Sequence, residues 1–233
     1  MHMWNGRRKA LTFSYDDGVE QDIRLAGLFD HYGLKCTFNL NSGIDEHGET
    51  WDYKGVTVRR AGLSRLIGPF SRHEVAAHSV NHPSLADLPH ERMFYEIWQD
   101  VVNLESAFGI RVYGMAYPFG SYNDAVIQTL ANCGLHYART GDFSHGFHLP
   151  AHPFRLRPTC HHNDHRMDEL TDRFLDAQPG DGSPMLFYIW GHSYEFDADG
   201  NWHMFERLCE KLAGRGDVFY GTNAEALGLK YAE

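Results

Sequence analysis

The chain has 233 residues, 42% of them apolar, with 15 Phe, 12 Tyr and 5 Trp. That suits a single domain over 1–233 of α/β-barrel size. A formal net charge of −10 argues against a nucleic-acid-binding surface and against docking on an anionic membrane, and leaves neutral sugars and small molecules open. The 16 histidines are many for this length and direct attention to metal or acid–base chemistry. Cys36, Cys133, Cys160 and Cys209 form no CxxC pair and read as free thiols, mostly buried. The opening "MHMWNGRRKALTFSYDDG" interrupts apolar residues with charge, so no signal peptide is expected, nor any run of about 20 apolar residues to span a membrane. The expectation is a cytoplasmic protein.

Strand-like and helix-like segments alternate along the chain. "KALTFSY" (9–15) is β-prone. Leu25, Leu28, Phe29 and Tyr32 then follow helical spacing up to Gly33. "LKCTFNL" (34–40) predicts a second strand and 41–55 a polar loop. Leu63, Leu66 and Ile67 predict a short helix, and "HEVAAHS" (73–79) a third strand. The clearest helix covers about 90–108, with Met93, Ile97, Val101, Leu104 and Phe108 as its stripe. "RVYGMAY" (111–117) predicts strand four. A helix over 123–134 begins at the N-cap residue Asn123. "LHYART" (135–140) predicts strand five, "FRLRPT" (154–159) a sixth, and "PMLFYIWGH" (184–192) a buried strand. Helices are predicted over 165–177 and 202–213, and a last strand at "VFYGT" (218–222). This alternation predicts a parallel sheet of seven or eight strands closed into a distorted (β/α) barrel, with the working site at the C-terminal strand ends.

Chemistry-bearing residues fall at those ends. "YDDG" places Asp16 and Asp17 after strand one. Adjacent like charges in a low-dielectric site are tolerated when a cation sits between them or their pKa values are driven apart. The alternative is a solvated turn. "HSVNH" sets His78 and His82 four apart at the end of strand three. Two imidazoles and a carboxylate make a facial set for a divalent ion.

With "YPFG" (117–120) and "WGH" (190–192), these motifs resemble in order those of the polysaccharide deacetylases, carbohydrate esterase family 4, over roughly residues 9–222. The resemblance implies Asp16 as general base and Asp17, His78 and His82 as ligands of a divalent metal. Zinc comes first, and cobalt, nickel, iron or manganese also suit the set. It implies the Phe119 backbone N–H as an oxyanion donor and His192 as the acid that protonates the leaving amine. The partner implied is an N-acetylated oligosaccharide or another small N-acyl substrate. Rivals are an O-acetyl esterase, a small-amide hydrolase, and a carbohydrate-binding protein without turnover.

The chain also departs from the family. Ala116 stands two residues before Pro118, where many members carry an arginine paired with the base, and the fourth motif is not recognisable. Arg139 is the expected replacement partner for Asp16, and Asp142 or Asp164 a partner for His192. Ser79 either orients a ligand or serves the turn. Tyr117 and Pro118, within the third motif, are expected to contact the substrate. Trp190 is either a sugar platform or core, and Tyr194 and Glu195 are expected on the substrate rim. In "CHHNDH" (160–165), His161, His162, Asp164 and His165 read as a polar rim loop, with a second metal site as the alternative.

Overall fold

A computed structural model describes residues 3–45, 47–48, 50–178 and 183–229. Eight strands form one parallel sheet: β1 (Lys9–Asp16), β2 (Cys36–Leu40), β5 (Glu74–Ala77), β6 (Gly114–Ala116), β7 (Tyr137–Arg139), β8 (Cys160–His161), β9 (Met185–Gly191) and β10 (Val218–Tyr220). The order is β7-β6-β5-β2-β1-β9-β8, and β10 pairs with the first half of β1, below the point where β2 begins. Between strands lie helices α1 (Gln21–Tyr32), α2 (Leu63–Leu66), α3 (His90–Phe108), α4 (Asp124–Asn132), α5 (Met167–Asp176), α6 (Tyr194–Asp199) and α7 (Trp202–Leu212), and α8 (Asn223–Ala226) follows β10. The segment after β7 joins the two ends of the sheet. Leu156 N–H donates to Ala138 and Thr159 N–H to Tyr188, giving a distorted (β/α) barrel.

Strand alternation sorts the side chains. On β1, Leu11, Phe13 and Tyr15 point outward into the main apolar core beneath the helices, where Phe13 packs against a tilted Phe29 ring and edge-on to Phe205. Thr12, Ser14 and Asp16 point into the barrel. There they meet Asn39 of β2 and Asn223 of α8: Thr12 Oγ1 donates to Asn223 Oδ1 at 3.0 Å and Asn39 Nδ2 to Ser14 Oγ at 2.9 Å. Glu74 on β5 takes Thr37 Oγ1 and the Tyr137 hydroxyl, each at 2.9 Å. The barrel interior therefore combines a hydrogen-bonded polar stack with a smaller apolar cluster that includes Ala10, Tyr137 and Tyr188, and the main apolar core lies outside it.

Most expected elements form within a few residues. Met93, Ile97, Val101 and Leu104 of the α3 stripe are buried and Phe108 is half-buried, and the Asn123 side chain caps α4 by accepting the Val126 N–H. Three expectations change. The stretch 41–55 is not all loop, because Trp51–Tyr53 (β3) pairs antiparallel with Val56–Val58 (β4). Lys54 and Gly55 both have positive φ, the primed turn that joins tight hairpins. "FRLRPT" contributes one bridge at Leu156 rather than a strand, since Pro158 within it and Pro153 just before it remove ladder donors, and the next strand begins at Cys160. Residues 194–199 form α6 directly after β9. The four cysteines are free thiols. Among the described residues no helix is long and apolar enough to cross a membrane.

The glycine at 114 makes room inside the barrel: a Cβ there would lie 2.2 Å from the Tyr137 ring. Gly114→Ala should destabilise the fold by about 1–3 kcal/mol through overpacking, read as a lower urea midpoint at unchanged slope.

Candidate active site

The C-terminal strand ends surround a cavity of about 780 Å³. Asp16, Asp17, His78, His82, Phe119, Arg139, Trp190 and His192 line it, with Trp51, Arg60, Tyr117 and Tyr194. Strand register explains the meeting. Asp16 pairs with Asn39 across β1–β2, and Tyr15 with Gly191 across β1–β9, so His192 leaves β9 beside Asp16. His192 Nε2 lies 4.0 Å from Asp16 Oδ2.

Asp16 is 3% exposed. Burial opposes its charge, but Arg139 first, then His78 and His192, outweigh that and hold its carboxyl below the usual range. Arg139 Nη2 donates to Asp16 Oδ2, and Asn39 Nδ2 donates to Oδ1 at 2.8 Å. Arg139 is thus the partner expected from the sequence, and the ladder shows how. Ala116 on β6 is the register partner of Arg139 on β7, so the guanidinium enters at the level of the missing arginine, from the next strand. Its face lies 4.4 Å from the Trp190 ring centroid.

Asp17 turns the chain at φ 83. Its Oδ1 lies 3.6 Å from His82 Nε2 and 3.9 Å from His78 Nε2, and the two Nε2 atoms are 3.1 Å apart. His78 Nδ1 donates to the Ala116 carbonyl at 2.8 Å, which leaves the Nε2 lone pair facing Asp17. Burial pushes His78 down to about 4 and also lowers His82, so both rings are neutral near pH 7. Asp17 Oδ1 is buried without an aligned hydrogen-bond donor among the described residues. Neutral imidazole nitrogens and an unsatisfied carboxylate oxygen at this spacing fit one small divalent cation. A cation would also answer the repulsion between Asp16 and Asp17.

The loop carrying His78 and His82 is gripped from below by α3. Asp100 Oδ2 accepts the His78 N–H at 2.9 Å, and Glu96 accepts the Asn81 backbone and side-chain N–H groups at 2.8 and 2.9 Å. Ser79 Oγ accepts the His82 N–H at 3.1 Å, so Ser79 serves the turn and thereby fixes His82. Phe119, at φ 56, exposes its ring, which lies 4.5 Å from that of His82, and its N–H finds no acceptor among the described residues.

Three expected roles are corrected. Glu195 is not on the substrate rim: its Oε1 accepts from His192 Nδ1 at 3.0 Å. It is therefore the carboxylate partner of His192, brought there because α6 folds residue i+3 back over the strand end. Asp164 instead holds His145 at 2.7 Å, and Asp142 is exposed. Pro118 is buried in its turn and does not line the cavity, whereas Tyr117 lines it while its hydroxyl donates to the Phe154 carbonyl. Trp190 and Tyr194 both line the cavity. In the "CHHNDH" stretch Cys160 and His161 form β8 and His162 follows beside β9, and the His165 side chain is 87% exposed.

Sequence reasoning missed Arg60 and Trp51. Arg60 Nη2 lies 3.2 Å from Asp17 Oδ1, and Nη1 donates to the Asp17 carbonyl at 2.8 Å. Trp51 stands edge-on to Tyr194 at 5.6 Å. The alternation around Lys54-Gly55 signalled the hairpin that carries Trp51. Nothing local signals Arg60, which an isolated bridge to Val19 puts in place.

A parallel barrel with two histidines, a ligand-type carboxylate and an Arg-held second carboxylate on one rim has the architecture of the deacetylase and esterase barrels. The polysaccharide deacetylase family model matches residues 5–138, more than half of the chain, and the protein belongs to that family. It is 30% identical over 122 residues to an uncharacterized protein of Streptomyces coelicolor (52% of this chain, 44% of that one). It is 26% identical over 141 residues to a probable peptidoglycan-N-acetylglucosamine deacetylase of Arthroderma benhamiae (58% and 30%). The chain thus spans less than half the length of these curated relatives. Its fold is similar to that of the family 4 carbohydrate esterase of Streptomyces lividans, solved with acetate, at 17% identity and TM-score 0.58, covering 95% of this chain and 96% of that one. It is also similar to a family 4 pseudoenzyme of Bacillus anthracis, at 16% identity and TM-score 0.58, covering 95% and 66%.

Two measurements follow from this geometry. Calorimetry should find one equivalent of Zn²⁺ bound at pH 7, and Asp17→Asn or His82→Ala should weaken that binding at least about 100-fold. The second concerns His192. Burial disfavours its charge, but the Glu195 hydrogen bond, then Asp17 and Asp16, prevail and raise it to about 9. A raised folded pKa stabilises the fold fully below the unfolded value of about 6.5 and loses that contribution as pH rises through 9. The thermal midpoint of the metal-free protein should therefore fall more steeply between those pH values than that of His192→Gln.

Proposed function

We propose that this protein is a metal-dependent hydrolase that removes acetyl groups from N-acetylated sugars, with short oligosaccharides as the substrate class. The observation that carries the reading is the juxtaposition in one cavity of an Asp/His/His ligand set, an Arg-held carboxylate and a carboxylate-held imidazole. Family membership supports the reaction class. The cavity volume falls in the small-ligand range of about 300–1,000 Å³, and its aromatic walls suit the apolar faces of sugar rings.

Asp17, His78 and His82 would hold the divalent cation, which supplies Lewis acidity toward the acetyl carbonyl and lowers the pKa of the attacking water. Zinc suits the donors, as do cobalt, nickel, iron and manganese. Asp16, kept ionised by Arg139 and Asn39, takes the proton of the attacking water. The Phe119 N–H donates to the oxyanion of the tetrahedral intermediate. His192 passes a proton from Nε2 to the departing nitrogen, so that the C–N bond breaks to give acetate and a free amine. Trp51, Trp190, Tyr117 and Tyr194 form the walls against which the sugar is held.

With zinc or cobalt supplied, N-acetylglucosamine oligomers should release acetate. Asp16→Asn and Asp17→Asn should each lower kcat/KM by at least about 100-fold. Release from acetyl esters but from no amide would assign an O-acetyl esterase, and release from neither class of substrate would overturn the reading.

A further inference from the structure

The histidines of "CHHNDH" that the reaction above leaves unused converge on the carboxylate behind His192. β8 pairs with β9 at Cys160↔Ile189 and His161↔Trp190, which sets His161 and His162 beside the strand that ends in His192. His161 Nε2 lies 3.2 Å and His162 Nε2 3.1 Å from the same oxygen, Glu195 Oε2. The other oxygen, Oε1, faces His192 Nδ1 at 3.0 Å. Three imidazoles thus address one carboxylate that is 7% exposed.

The placement of His162 needs a glycine. A Cβ on Gly191 would lie 1.9 Å from His162 Nδ1, so the ring occupies space that any other residue would take. It is stacked between Phe196, at 4.2 Å, and Tyr15, at 5.6 Å. The tautomer of His161 is fixed locally. Its Nδ1 accepts the Asn163 N–H at 3.2 Å, which leaves the ring proton on Nε2, facing Glu195. A histidine binding a metal through Nε2 ordinarily donates from Nδ1 instead. The group therefore differs from the Asp17, His78 and His82 set, in which His78 Nδ1 does donate. Burial first, then the neighbouring imidazole, keeps His161 neutral, and Glu195 is held well below the usual carboxylate range.

We propose that Glu195, which His161 and His162 approach closely from its far side, is the positioning residue for His192. It fixes the ring with Nδ1 protonated and Nε2 directed to the cavity, and it holds the imidazolium that serves the leaving group. A residue of the helix turn after β9 thereby fills the place of the unrecognised fourth motif. This inference rests on the deacetylase reading for its catalytic consequence and on geometry alone for its physical content.

The test compares wild type, Glu195→Gln and Glu195→Asp by ¹⁵N NMR titration of the histidine side chains in the metal-free protein, and by kinetics with zinc. Asp16, Asp17, Arg139 and His161 also face the His192 region and are common to all three proteins, so differences report on Glu195. In Glu195→Gln the His192 midpoint should fall by about one pH unit or more. kcat on N-acetyl substrates should fall about 10–100-fold with KM less affected. Turnover of an activated acetyl ester, whose leaving group needs no proton, should fall less, raising the ester-to-amide ratio. Glu195→Asp should recover part of both effects, and it carries the test if the glutamine variant does not fold. An unchanged His192 midpoint, or equal losses on ester and amide, would overturn the proposal. So would a second equivalent of zinc that disappears in His162→Gln, which would make the cluster a metal site. If wild type turns over no acyl substrate, the deacetylase reading fails, and the titration still decides whether Glu195 governs His192.

Discussion

Asp16 and Asp17 carry like charges on neighbouring residues and are 3% and 7% exposed. Burying an unpaired carboxylate is far more costly than any single hydrogen bond is favourable, so each needs its own compensation. The chain separates the two demands. Asp16 continues the strand and points into the barrel, where Arg139 and Asn39 receive it. Asp17 enters the left-handed region and meets Arg60, His78 and His82 on the rim. The sharp backbone turn between them lets two adjacent carboxylates belong to two separate electrostatic environments.

The rest of the barrel supports that division. Its inward-facing residues form hydrogen bonds running from the rim to the far end: Asp16 to Asn39, Asn39 to Ser14, and Asn223 to Thr12 and Tyr188. Polar side chains held this way fix one another's orientation. On the outer face, α3 adds two buried carboxylates, Glu96 and Asp100, which accept N–H groups from the ligand loop. Burial pushes Asp100 up to about 7, so this support combines hydrogen bonding with a carboxyl that is easily neutralised.

The sequence made much of this legible, for identifiable reasons. Helical stripes such as Met93, Ile97, Val101 and Leu104 depend on local periodicity, which burial in the fold reinforces. The motifs at the strand ends were readable because barrel topology sends every such end to one rim. What stayed hidden depends on register or on a turn. Arg60 reaches Asp17 across an isolated bridge, and no local pattern announces that. Glu195 reads as a rim residue until 194–199 is seen to be helical, because only a helix returns residue i+3 to His192. The strand at Cys160 is two residues long, too short to show any period, and its histidines look like loop until their pairing with β9 is known.

The exchange between Ala116 and Arg139 bears on what a sequence motif represents. In a parallel sheet, register partners on adjacent strands sit at equal height, and a side chain as long as arginine can reach the same point from either. The guanidinium next to Asp16 is thus specified by a place in space rather than by its distance from Pro118 along the chain. The small side chain at 116 leaves that place open to the neighbouring strand. A search string that demands arginine before the proline would discard this protein as defective, although the charge it seeks is present one strand away.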